Sequence, residues 1–174
     1  YQYEPDSNRL ERNSGPREQN LSPAQWTHQY NYDDHGCMTT MWHLETMTWD
    51  HRDQLVHVDR RGDGEFFYTY DSGRQRVRKV VFEGSFRDER IYLGGYELYR
   101  RYPRNGRSVR EELETLHIMD DQQRLCMLET PTVENGNQPS TLRPRFRYQL
   151  GNHLGSVAME IDETAEVITY EEYH

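Results

Sequence analysis

Long apolar runs are missing from this chain, which excludes a membrane-spanning helix. No opening stretch has the basic, apolar and small-residue order of a secretory signal, and the chain reads as a piece of something larger. Cysteine is nearly absent. Cys37 and Cys126 are too few for a disulfide framework, and neither stands in C-x-x-C or Cys/His ligand spacing. Free thiols are expected, with a single bridge left open. Core-forming residues are scarce: Leu, Ile, Val and Phe number 31 of 174, few enough to raise the question of disorder. Positive charge is in deficit, with 21 Lys and Arg against 30 Asp and Glu, a net charge of −9 and a pI near 5.4. Such a surface repels phosphate backbones and argues against nucleic-acid binding. The basic clusters "RQRVRK" and "LYRRYPRNGRSVR" read as solvated sheet faces.

Against disorder stand 13 Tyr and 3 Trp, because disordered chains are poor in aromatics and these side chains bury large area with a polar tip. A folded protein with a thin, tyrosine-rich core is expected, and such a core suits sheets.

The aromatics recur in one plan: an extended aromatic segment, an acid, a polar corner, then another extended segment. Tyr32-Asp33 precedes Gly36, Trp49-Asp50 precedes Gln54-Leu55, and Tyr70-Asp71 precedes Gly73. Met119-Asp120 precedes Arg124-Leu125, and Tyr3-Glu4 opens the series before Asn8 and Leu10. Asp at the head of a turn bonds forward to backbone amides, and Gly tolerates the positive φ that a hairpin turn needs. One hairpin cannot bury its face alone, so the units must stack. The fold class expected is all-β, built from stacked antiparallel β-hairpins. Irregular spacing argues against a propeller with uniform blades.

Elsewhere, Gly94-Gly95 separates two aromatic strands and signals a two-residue hairpin. "SVAMEIDETAEVITYEEY" predicts a hairpin with Val157, Met159 and Ile161 inward, turning through Asp162 to Glu166. "REELETLH" has the length of one helical turn before a β-like stretch, and "VENGNQPSTLRP" reads as an exposed loop. No linker splits the chain into two domains.

Sharper motifs give way to plainer readings. Arg61-Gly62-Asp63 spells an adhesion tripeptide but sits where glycines make a turn between Val58 and Phe66. His28, His35, His51 and His57 show no zinc spacing. Adjacent acids such as Asp120-Asp121 and Glu171-Glu172 point to opposite faces of a strand, so neither pair converges on one bond. No catalytic residue, cofactor-binding residue or metal ligand is assigned, and no enzyme activity is expected.

The phrases "MTWDHRDQLVHVD", "YTYDSGRQRVRKV", "ERIYLGGYELYRRY", "RYQLGNHLGSVAMEID" and "VITYEEYH" resemble the Rhs/YD-repeat family, in its repeat-associated core as in the third-component proteins of insecticidal toxin complexes. Within these phrases Gly94, Gly95, Gly151, Asn152 and Gly155 are the motif turns. The resemblance implies that residues 1–174 are one segment of a spiralling YD-repeat shell, part of a larger secreted protein. Its implied partners are the remainder of the shell and a C-terminal toxin domain enclosed until delivery. The family's self-cleaving segment and toxin domain have no counterpart among these residues, so neither activity is carried over. The pattern departs at Glu4-Pro5, and at Trp49 and Met119, which keep apolar packing but are expected to forfeit the phenol's hydrogen bond. Unpaired sheet edges are expected to promote self-association. The competing reading is an aromatic-rich carbohydrate- or protein-binding module using Trp26 or Trp49.

Overall fold

The computed structural model describes residues 1–121, 123–151 and 157–171. Among these no α-helix occurs; the helical element is one 3-10 turn, Pro23–Gln25. The chain divides into two compact units, Tyr1–Gly84 and Ser85–His174.

In the first unit, β1 (Gln2–Tyr3), β2 (Leu10–Asn13) and β3 (His28–Gln29) form a small antiparallel sheet. β4 (Asn31–Tyr32) pairs with β5 (Met38–Thr40). β6 (Thr46–Trp49), β7 (Leu55–Asp59), β8 (Glu65–Tyr70) and β9 (Arg76–Glu83) follow as a meander of nearest neighbours. Aromatic and β-branched side chains make these strands, as in "EFFYTY" facing "RVRKVVF". Gly64 closes the β7–β8 turn at φ +142, where an added Cβ would lie 2.8 Å from the Phe82 carbonyl oxygen.

The second unit is a single antiparallel meander: β10 (Phe86–Leu93), β11 (Tyr96–Pro103), β12 (Glu111–Asp120), β13 (Gln123–Val133), β14 (Arg145–Gly151), β15 (Val157–Ile161) and β16 (Val167–Tyr170). The stretch "REELETLH" is therefore strand and makes no helical turn. Its acids find basic partners on the neighbouring strand, Arg100 opposite Glu112 and Arg101 opposite Glu111, and cross-strand pairs of opposite charge favour this alternative.

The core is thin, as the composition implies, but of the tyrosines only Tyr102 is among the buried residues described. Met47, Val58 and Val80 are buried in the first unit, Tyr102 and Cys126 in the second. Both cysteines are free thiols. Burial also falls on polar groups of the second unit: Thr115, Gln149 and Glu160. The expected inward set of Val157, Met159 and Ile161 is overturned accordingly, since Glu160 is the buried residue of β15.

Candidate functional site

Four corners share one geometry, set by an aspartate at the head. Asp50 Oδ1 accepts the main-chain N–H of Arg52 at 2.8 Å and of Gln54 at 3.0 Å. Asp33 does the same with His35 (3.0 Å) and Cys37 (2.8 Å), and Asp162 with Thr164 (2.8 Å) and Glu166 (2.9 Å). Asp71 Oδ1 accepts from Gln75 at 2.9 Å. In each, the main-chain N–H of the aspartate donates to the carbonyl four residues on, at 2.9 to 3.0 Å. The residue three after the aspartate lies in the left-handed region: Gly36 at φ +91, Asp53 at +58, Arg74 and Ala165 at +65. One side chain thus satisfies the donors that a sharp reversal would leave unpaired. The N–H of Gln54, foremost, holds the Asp50 carboxyl below its ordinary range, and the Thr164 hydroxyl leads the same effect at Asp162.

The aromatic before the aspartate ties each corner to the preceding one. The Tyr70 hydroxyl donates to the Leu55 carbonyl at 2.9 Å, and Leu55 stands five residues after Asp50. The Trp49 indole N–H donates to the Met38 carbonyl at 2.7 Å, and Met38 stands five residues after Asp33. The Tyr32 hydroxyl donates to the Leu10 carbonyl at 3.0 Å, one residue further on because the first corner is longer. Trp49 therefore forfeits nothing: its indole N–H replaces the phenol as donor. Further bonds join corner to corner, from Arg52 to the Ser72 carbonyl (3.1 Å), from Gln54 to the Arg74 carbonyl (3.3 Å), and between His35 and Asp53 (2.8 Å). Asp53 draws the His35 imidazole above its ordinary pKa by accepting that bond.

The remaining motif positions depart from this geometry. Tyr3-Glu4 closes a six-residue turn in which the Glu4 N–H meets the Arg9 carbonyl at 3.0 Å. Met119 and Asp120 belong to the end of β12, where Asp120 pairs directly with Gln123, so this reversal is a two-residue connection of another kind. Gly73 is not the left-handed residue of its corner; Arg74 is. The Asp162 corner, expected as a hairpin turn through Glu166, lacks an aromatic before it and so does not show in sequence as a copy of the aromatic-acid plan. Gly94 and Gly95 form the two-residue link between Leu93 and Tyr96, with Gly94 at φ +62. Gly151 ends β14 opposite Val157, while Asn152 and Gly155 lie outside the described residues. Arg61, Gly62 and Asp63 form the β7–β8 turn.

A second arrangement has no counterpart in the sequence reading. In the second unit a polar line crosses all seven strands. Arg90 donates to Glu97 (2.6 Å), Glu97 meets His117 (3.0 Å), and His117 meets Arg124 (3.0 Å). Arg124 donates to Gln149 (2.6 Å), Gln149 to Glu160 (2.6 Å), and Thr169 to Glu160 (3.2 Å). Arg147 joins it by pairing with both Glu129 and Glu160. Burial pushes the Glu160 carboxyl up, but bonds from Gln149, Arg147 and Thr169 outweigh it and hold the group low. The opposite face carries Leu116, Ile118, Tyr148, Leu150 and Tyr170, all exposed. No helix among the described residues is long and apolar enough to cross a membrane, and no cluster of three His, Cys, Asp or Glu is placed to hold a metal there.

No protein-family model matches the chain. It is similar to the toxin subunit YenC1 of Yersinia entomophaga, with 27% identity over 139 residues, covering 75% of this chain and 14% of that protein. The crystal structure of TcdB2-TccC3 shares its fold, with a TM-score of 0.65 and 21% identity over 82% of this chain and 7% of that one. The TcdB2-TccC3-TEV crystal structure gives a TM-score of 0.66 at the same identity and coverage. These likenesses bear out the Rhs/YD-repeat toxin-complex relationship carried by the sequence phrases.

Proposed function

We propose that this chain is a catalytically silent segment of a YD-repeat wall, part of a larger secreted protein whose wall encloses a C-terminal toxin domain until delivery. The observation that carries this reading is the bonding of corner to corner. Each aromatic donor reaches the backbone carbonyl of the copy before it, so the hairpins propagate in one dimension and each supports its neighbour. The corner carboxylates of Asp33, Asp50, Asp71 and Asp162 are committed to main-chain amides, and those of Asp50 and Asp162, held low, are poor proton donors near neutral pH. The exposed apolar row on the second unit supports a further layer lying against it.

Of the two tryptophans offered as sugar platforms, Trp49 is half-buried and spent on the corner bond. The wall reading is tested on the longer polypeptide containing this chain by limited proteolysis. The domain following the chain should resist cleavage until the protein is denatured, and Trp49→Phe combined with Tyr70→Phe should hasten its cleavage. Equal cleavage rates in native and denatured protein would overturn the proposal.

A further inference from the structure

An open cavity of about 500 Å³ lies in the first unit, apart from the aspartate corners. Trp26, Gln29, Asn31, Thr40, Trp42 and Arg61 line it, gathered from the Pro23–Gln25 turn, the ends of β3, β4 and β5, and the β7–β8 turn. Two features set it apart from a chance depression. Trp42 is 52% exposed yet held in place, with its ring stacked on the His28 imidazole at 4.7 Å between centroids and 14° between planes. Its orientation is thus fixed without the ring being covered. Second, in a chain carrying 30 Asp and Glu, no acidic residue lines this cavity, while Arg61 does. The turn holds Arg61 at φ +50.

The remaining lining groups are neutral donors and acceptors. Asn31 donates to the Thr40 hydroxyl at 2.6 Å, which orders both side chains at the wall and leaves the Asn31 amide oxygen as an acceptor. Flat indole surface suits the C–H face of a sugar ring, amides and hydroxyls suit its hydroxyls, and a guanidinium fork suits a carboxylate. The volume lies within the usual range for small-ligand sites.

We propose that this cavity binds a saccharide whose pyranose carries a carboxylate, as sialic and uronic acids do. The ring packs on Trp42 and Trp26, its hydroxyls meet Gln29, Asn31 and Thr40, and its carboxylate pairs with Arg61. This site stands independently of the wall reading, because a wall segment without it would enclose its contents equally well. It also gives Arg61 a role distinct from that of an adhesion tripeptide.

The test titrates 3′-sialyllactose, digalacturonate and lactose against the full chain, followed by saturation-transfer NMR and by the indole N–H resonances. An acidic probe should bind saturably and shift the Trp26 and Trp42 resonances while leaving that of Trp49 in place. Arg61→Gln, a change in an exposed turn, should weaken binding about tenfold, and Trp42→Ala should abolish it with the circular dichroism spectrum retained. Absence of saturation by either acidic probe, equal affinity for lactose, or unchanged affinity in Arg61→Gln would each overturn the proposal.

Discussion

Tyr70→Phe removes one oxygen atom and leaves the ring where it is. That oxygen is the donor to the Leu55 carbonyl at 2.9 Å, in a half-buried setting. A neutral hydrogen bond contributes about 0.5–1.5 kcal/mol net, and stranding a buried partner costs about 1–3 kcal/mol. Water reaches a half-buried carbonyl, so the low end of the second range applies, and the loss expected is about 1 kcal/mol. In a chain of this size that lowers the melting temperature by about 2–4 °C. Urea unfolding should show a lower midpoint with an unchanged slope, because the surface exposed on unfolding is the same. Tyr32→Phe deletes the equivalent donor to Leu10. The double variant should lose about 2 kcal/mol, since the two bonds share no partner. Tyr1, 82% exposed, supplies the control, and Tyr1→Phe should change nothing measurable. A Tyr70→Phe variant as stable as the Tyr1→Phe control would refute the idea that these bonds hold corner to corner.

Ala165 occupies the left-handed position that Gly36 fills in its own corner, so Ala165→Gly should stabilise by about 0.5–1 kcal/mol in thermal melts. Glu160→Ala removes the acceptor for Gln149, Arg147 and Thr169 at a buried position and should cost about 2–4 kcal/mol by chemical denaturation. Asp50 has its folded pKa depressed, so its contribution is present above the unfolded value and is lost as pH falls through the folded one. The stability gap between the parent chain and Asp50→Asn should therefore be open at neutral pH and close in the acid range below about pH 4. His35 behaves oppositely. Its folded pKa is raised, so the deficit of His35→Asn should be full below about pH 6.5 and vanish as pH rises past the folded value.

The strand-and-corner plan was legible because aspartate acts locally: the carboxylate and the amides it accepts lie within four residues, as at Asp33 and Asp50. A single residue is a poor marker of a corner. Gly73 is the glycine of its corner, yet with the Gln75 N–H donating to Asp71 Oδ1 the left-handed residue is Arg74. Met119-Asp120 imitated the pattern, but the pairing of Asp120 with Gln123 leaves only two residues for the turn. The Asp162 turn is legible as a hairpin turn from its flanking strands, but not as a copy of the aromatic-acid plan, because Ile161 is not aromatic. The polar line of the second unit could not be read at all. Its bonds join residues as far apart as Arg124 and Gln149, and strand register, which no local signal specifies there, brings them together.

That register has a consequence for how the second unit meets its surroundings. Gln149 faces Glu160 and Glu160 faces Thr169, so these three share a face, and Leu150, Met159 and Tyr170 share the other. A sheet covered on one face ordinarily buries the apolar set and wets the polar one. Here Gln149 and Glu160 are buried while Leu150 and Tyr170 are exposed. The polar line tolerates this because most of its groups satisfy one another, the buried Arg147 Nε being an exception, and a paired network costs little where an unpaired group would cost much. The apolar row has no such remedy within the unit, and each side chain left in water forgoes about 1.5–3 kcal/mol. In the proposed wall a further layer of hairpins recovers that energy. The polar face needs cover less, because most of its hydrogen bonds are already made within the sheet.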